Sequence, residues 1–166
     1  MITKRIIFYL ITVVFLSCQV QESKIDEIEF SYSSELRIPY NKVNINISKT
    51  PSNDSAIVLI QSKPLFDTPK WAYSKIDTFF KIDHKAFEKL VNATASLDKI
   101  DMDKAQRSGF DGSTWKIEFG SKGKNESYRF WSPTSQTKER GLDRFIQLSE
   151  HVMEISKLKK EEILKN

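Results

Sequence analysis

In three separate stretches this chain alternates apolar and polar residues without a break, and no other feature restricts its fold as much. Ile28, Phe30 and Tyr32 alternate with Glu27, Glu29 and Ser31, and Val43, Ile45 and Ile47 with Asn44 and Asn46. Trp115, Ile117 and Phe119 alternate with Thr114, Lys116 and Glu118. Successive side chains of a strand point to opposite faces, so each stretch reads as a strand with one buried and one wetted face. Residues 126–132 return as a further strand, with Tyr128 and Phe130 on one face and Ser127, Arg129 and Trp131 on the other. The continuous apolar run over 56–60 predicts a more central strand. Weaker strand character follows over 74–81, after a stretch that Pro64 and Pro69 keep irregular.

Two segments carry the helical period instead. Asp83 is placed as an N-cap, and Phe87, Leu90, Val91, Thr94 and Leu97 then fall on one face, which predicts a helix over 84–97. Leu142, Phe145, Ile146, Val152, Met153 and Leu158 make a longer stripe between Gly141 and Lys160. Residues 50–54 have turn chemistry, and the two glycines within 120–125 predict a hairpin loop. Helices packed on one face of an antiparallel sheet satisfy both periods at once. The expected class is therefore α+β: an antiparallel sheet of five to six strands with two helices on one face. The expected domain covers residues 26–160, with a tether over 18–25 and a polar tail over 161–166.

The first eighteen residues follow another logic. Lys4 and Arg5 precede an apolar run from Ile6 to Leu16, interrupted only by Thr12, and Ser17 and Cys18 close it. A basic start, a short apolar stretch and a small residue at the cut are the parts of a secretory signal. The run is too short to cross a bilayer core, which takes about 20 apolar residues. Phe15, Leu16, Ser17 and Cys18 resemble the lipobox of bacterial lipoproteins, with Phe15 where leucine is usual. The resemblance implies cleavage before Cys18 and acylation of that cysteine with two or three chains. Each buried methylene adds about 0.8 kcal/mol, so at least two chains make a stable anchor. Cys18 is the only cysteine, which leaves no internal disulfide for it to form. Gln19 follows it, where the resemblance places an aspartate in proteins kept at the inner membrane, so an outer-membrane location is favoured.

Composition adds exclusions. The formal net charge is +4, but removing residues 1–17 takes Lys4 and Arg5 away and leaves 24 basic against 22 acidic side chains. No nucleic-acid partner is expected from that balance. His84 and His151 lie on different predicted helices with no second thiol to help, so no metal or other cofactor is expected. Asp98, Asp101 and Asp103 lack the spacing of a calcium loop. There is no G-x-S-x-G nucleophile elbow, and residues 120–123 lack the spacing of a phosphate-binding loop. No catalytic residue is marked.

The most individual patch is Gly109-Phe110-Asp111-Gly112-Ser113-Thr114-Trp115, answered by Trp131-Ser132-Pro133. It resembles a G-x-D-G-x-x-W and W-x-P arrangement in small bacterial proteins without assigned function, over about a third of the chain. Aspartate and glycine suit the tight turn into a strand, and Pro133 ends the returning one. Strand parity puts Trp131 and Arg129 on the face away from Tyr128 and Phe130. Exposed tryptophan and arginine are the types enriched at binding hot spots, so these two are the candidate binding residues. The alternative places Trp131 as a structural plug under Pro133 and the start of the last helix. The expectation is a non-enzymatic binding module of the bacterial cell envelope, held to a membrane through its N-terminal lipid and contacting an envelope protein or other envelope component. Two alternatives stay open: an inhibitor or immunity-type lipoprotein, and an envelope hydrolase with unmarked catalytic residues.

Overall fold

Six strands form one antiparallel sheet: β1 (Glu27–Ser34), β2 (Lys42–Lys49), β3 (Ser55–Lys63), β4 (Ile76–Asp83), β5 (Ser113–Ser121) and β6 (Lys124–Trp131). A computed structural model describes residues 25–164 apart from residue 122. The strand order is β4-β3-β2-β1-β5-β6, so the first strand lies inside the sheet with β2 and β5 beside it. The register joins the alternating patterns. Ile28 faces Ile47 and Phe119, Phe30 faces Ile45 and Ile117, and Tyr32 faces Val43 and Trp115. All nine side chains point to one buried face.

Two helices cover that face. Helix α1 (His84–Thr94) starts where expected, with the Asp83 carboxylate accepting the Ala86 amide hydrogen at 2.7 Å. Phe87, Leu90, Val91 and Thr94 are buried along it. The helix ends before residue 97 because the Thr94 hydroxyl donates to the Val91 carbonyl, and Leu97 reaches the core from a 3-10 turn, Leu97–Lys99. Helix α4 (Asp143–Ile155) buries Phe145, Leu148, Val152 and Met153, and the Phe145 ring meets Phe130 edge-on at 4.8 Å. Three single-turn helices, α2 (Met102–Ala105), α3 (Thr137–Arg140) and α5 (Lys160–Ile163), and a 3-10 segment, Pro69–Ser74, complete the described residues. The chain is an α+β protein of the architecture the alternation predicts.

Three expectations change. Strand β3 is interior but not buried on both sides: Ile57 and Leu59 are half-buried on the open face, opposite Lys81 and Phe79. The loop expected over 120–125 is mostly strand, because β5 and β6 pair out to Ser121 and Lys124. The polar tail expected from residue 161 is helical, and Ile163 and Leu164 enter the core. Their burial outweighs the charge of the preceding Lys-Lys-Glu-Glu run. The Arg37 guanidinium also donates to the Glu162 and Ile163 carbonyls, which holds the segment in place.

Among the described residues no helix covers the other sheet face, which is stabilised by polar contacts, such as Lys116 between Glu29 and Glu118 at 3.6 and 2.9 Å. Antiparallel pairing sorts the connections to two ends. The chain enters the sheet at one of them, where the Asp26 amide donates to the Gly120 carbonyl and the Lys49 amide donates to the Asp26 carbonyl. The β2–β3 and β5–β6 turns lie there too. The opposite, distal end collects the long connections over 35–41, 64–75, 106–112 and 132–142. At about 3.3 Å per residue, the eight residues of β1 separate the two ends by roughly 25 Å.

Candidate functional site

The distal end is organised by a residue that would ordinarily be on the surface. Arg140, at the end of α3, is only 2% exposed. Its Nε donates to the Ala105 carbonyl at 2.9 Å, Nη1 to Ser132 and Ser135 at 2.8 and 3.1 Å, and Nη2 to Trp131 at 3.0 Å. Burial, and then the charge of Arg107, push its pKa below the ordinary guanidinium value, yet a guanidinium stays protonated. One fork of donors thus ties α2 to the end of β6 and the turn after it. The strain it holds is visible at Ser132, whose φ is +39°.

Beside this clamp lies a groove of about 400 Å³ where β1, β5 and β6 reach the distal end. Leu36 and Arg37 from the 35–41 connection, Asp111 and Gly112 from the 106–112 connection, and Tyr32 and Trp131 from the strands line it. The Trp131 indole is closely approached by two glycines. A Cβ on Gly109 would stand 2.2 Å from the ring, and one on Gly112 would stand 2.8 Å from its Nε1. The turn chemistry of residues 109–112 therefore has a second cause, the close approach of the backbone to a large ring. Around the groove stand side chains that a core would normally take up. Phe110 is 96% exposed and Leu36 67%. Leu65, Phe66 and Tyr73 are exposed on the neighbouring 64–75 connection, where the Tyr73 ring meets Tyr40 and Trp71 at 6.1 Å each.

The residues expected to bind are partly brought together. Trp131 and Arg129 share the open face, across from Thr114 and Lys116. Trp131 is half-buried and lines the groove, with Gly109 and Gly112 against its ring. Arg129 is exposed, its carbonyl takes a hydrogen bond from Gln106, and it lies outside the groove. Tyr32, Leu36 and Arg37 were not marked by sequence reasoning. Tyr32 reads there as one more apolar position of β1, and no spacing links residue 37 to residue 111. Cys18 falls outside the described residues.

Elsewhere the chemistry is structural. Asp101 caps α2 by accepting the Lys104 amide hydrogen. Asp98 accepts the Tyr128 hydroxyl hydrogen at 3.1 Å, and burial together with that carboxylate pushes the Tyr128 pKa up to about 12. Among the described residues no cluster of metal-ligating side chains occurs, and no helix is long and apolar enough to cross a membrane. Compared with known proteins, the chain matches no family model and no curated protein.

Proposed function

We propose that this chain is a lipid-anchored protein of the bacterial cell envelope that acts by binding, with its anchor at Cys18 and its contact surface at the distal end. The observation that carries the reading is a separation. Asp26, eight residues after Cys18, is fixed at one end of the sheet, while Leu36, Leu65, Phe66, Tyr73 and Phe110 are exposed at the other. Exposed apolar side chains gathered at one end are a mark of recognition surfaces. A tether leaving from the opposite end directs that surface away from the membrane holding the lipid. The partner is an envelope protein or another envelope component, reached without a cofactor.

Two measurements test the halves of the proposal. Cys18→Ser is expected to abolish incorporation of labelled palmitate and to move the protein from the detergent phase to the aqueous phase. Partitioning that survives the change removes the anchor. A photo-crosslinking amino acid in place of Phe110 is expected to capture an envelope component in cells, while the same group in place of Asn53, at the anchored end, captures none. Equal capture at both positions removes the distal contact surface.

A further inference from the structure

We infer that the distal groove is a saccharide subsite for a neutral pyranose ring, a proposal that rests on the binding role above and names the chemistry of its ligand. Tyr32 is the observation that points to a ligand. It is 3% exposed and lines the groove, and its ring is fixed against Trp115 at 6.3 Å. Among the described residues its hydroxyl makes no hydrogen bond. The ring is enclosed while the hydroxyl oxygen keeps its contact with the groove, so it takes its partner from there, either water or a ligand hydroxyl that replaces that water. The partner can come through the groove.

The rest of the lining selects what that partner is. Ser34 and Ser132 are buried, and no hydrogen bond engages either side-chain hydroxyl among the described residues. With Tyr32 they make three hydroxyls, and each can both donate and accept. That capacity matches the hydroxyls of a sugar, which also do both. Trp131 and Leu36 supply apolar surface for the C–H face of a ring. The two charges on the groove, Arg37 and Asp111, are opposite in sign, and Arg37 is already committed to the carbonyls at the end of α5. A phosphate or polyanion would find one preoccupied cation beside a carboxylate. An acyl chain would strand three hydroxyls. At about 400 Å³ the groove sits at the small end of ligand pockets, which run from about 300 to 1,000 Å³.

The test uses the full chain, solubilised in a detergent without a sugar headgroup. Neutral tetrasaccharides of N-acetylglucosamine, glucose, mannose and galactose are titrated by saturation-transfer NMR and calorimetry, beside alanyl-alanine and inorganic phosphate. Saturable binding of at least one tetrasaccharide is expected. Tyr32→Phe should weaken it about tenfold, the loss of one hydrogen bond, without lowering the melting temperature. A purely structural tyrosine would behave in the opposite way, with binding kept and melting lowered. Binding confined to alanyl-alanine or phosphate overturns the assignment, as does saccharide binding that Tyr32→Phe leaves unchanged. Silence from all four tetrasaccharides also overturns it. If crosslinking through position 110 persists in that case, the binding role stands; if both fail, that role falls with the subsite.

Discussion

At the end where the chain enters the sheet, Ser52, Ser55 and Thr50 give their hydroxyls to one exposed carboxylate, Asp54, at 2.7, 2.7 and 3.2 Å. At the distal end one buried guanidinium, Arg140, gives its hydrogens to four backbone carbonyls. The contrast extends to the backbone. Left-handed residues at the first end are Asn53 and Gly123, types that adopt that conformation readily. At the distal end Gly141 is joined by Tyr40, Ser132 and Gln136, for which it costs about 1–2 kcal/mol each. Strain of this kind lasts only where surrounding contacts fix the chain, and it collects at functional sites. The first end is cheap and local. The distal end is expensive and depends on long-range contacts, which fits the contact surface proposed for it.

The largest effect should come from breaking the distal clamp. Arg140→Met keeps much of the side chain's length but leaves the Ala105, Trp131, Ser132 and Ser135 carbonyls without their donor. Each unsatisfied buried acceptor costs about 1–3 kcal/mol, and partial relaxation should bring the total to about 3–5 kcal/mol by urea unfolding. Arg140→Lys should recover little, because one ammonium cannot reproduce the planar fork. Thr50→Val at the other end should cost only about 1 kcal/mol. Equal losses at Arg140 and Thr50 would erase the distinction between the ends.

A pair of glycine substitutions sharpens the comparison. A Cβ on Gly112 would lie 2.2 Å from Ser132 Oγ and 2.8 Å from Trp131 Nε1, so Gly112→Ala must displace the indole. Overpacking of that kind costs about 1–3 kcal/mol. At Gly123 nothing stands within 4 Å, but φ is +83°, so Gly123→Ala costs about 1–2 kcal/mol through the backbone alone. Tryptophan emission separates the two: Gly112→Ala should shift it and Gly123→Ala should not. An unshifted spectrum for Gly112→Ala would mean that the ring is not fixed by the glycine loop.

How much of this was legible in the sequence follows the same division. Strands with one wet face announce themselves, because a one-residue slip would bury Glu29 or Lys116. The α1 start was legible because Asp83 has a local hydrogen-bonding job. Ile57 and Leu59 misled because an apolar run carries no parity, and only pairing with Phe79 and Lys81 shows which side is open. Strand parity brought Trp131 to the open face, but its glycine cover comes from residues about twenty positions away. Arg140 follows Lys138 and Glu139 and reads as solvated surface, since its four acceptors meet only in the fold. Tyr32 is hidden for the opposite reason: a tyrosine in an apolar series looks like core, and only its unengaged hydroxyl sets it apart.

The smallest predicted effect is electrostatic and belongs to the end where the chain enters the sheet. The hydroxyls of Ser52, Ser55 and Thr50, in that order, hold the Asp54 carboxyl below the ordinary value of 3.8. A carboxyl whose pKa is depressed by folding binds its proton less readily in the folded chain than in the unfolded one. Its contribution to stability is then fully present above about pH 4, and it fades as pH falls through the folded value. Asp54 is fully exposed, so the effect should be slight and salt-sensitive. Melting temperatures from pH 5 down to pH 2 should fall less steeply for Asp54→Asn than for the parent chain, with the two converging in acid. The alkaline counterpart is Tyr128 beside Asp98, whose neutral form the fold favours up to about pH 12, so its contribution disappears on the other limb, between pH 10 and 12. Parallel acid limbs for the parent and Asp54→Asn would show that the hydroxyl cluster follows the turn rather than holding it, and that this end of the sheet owes its order to strand pairing alone.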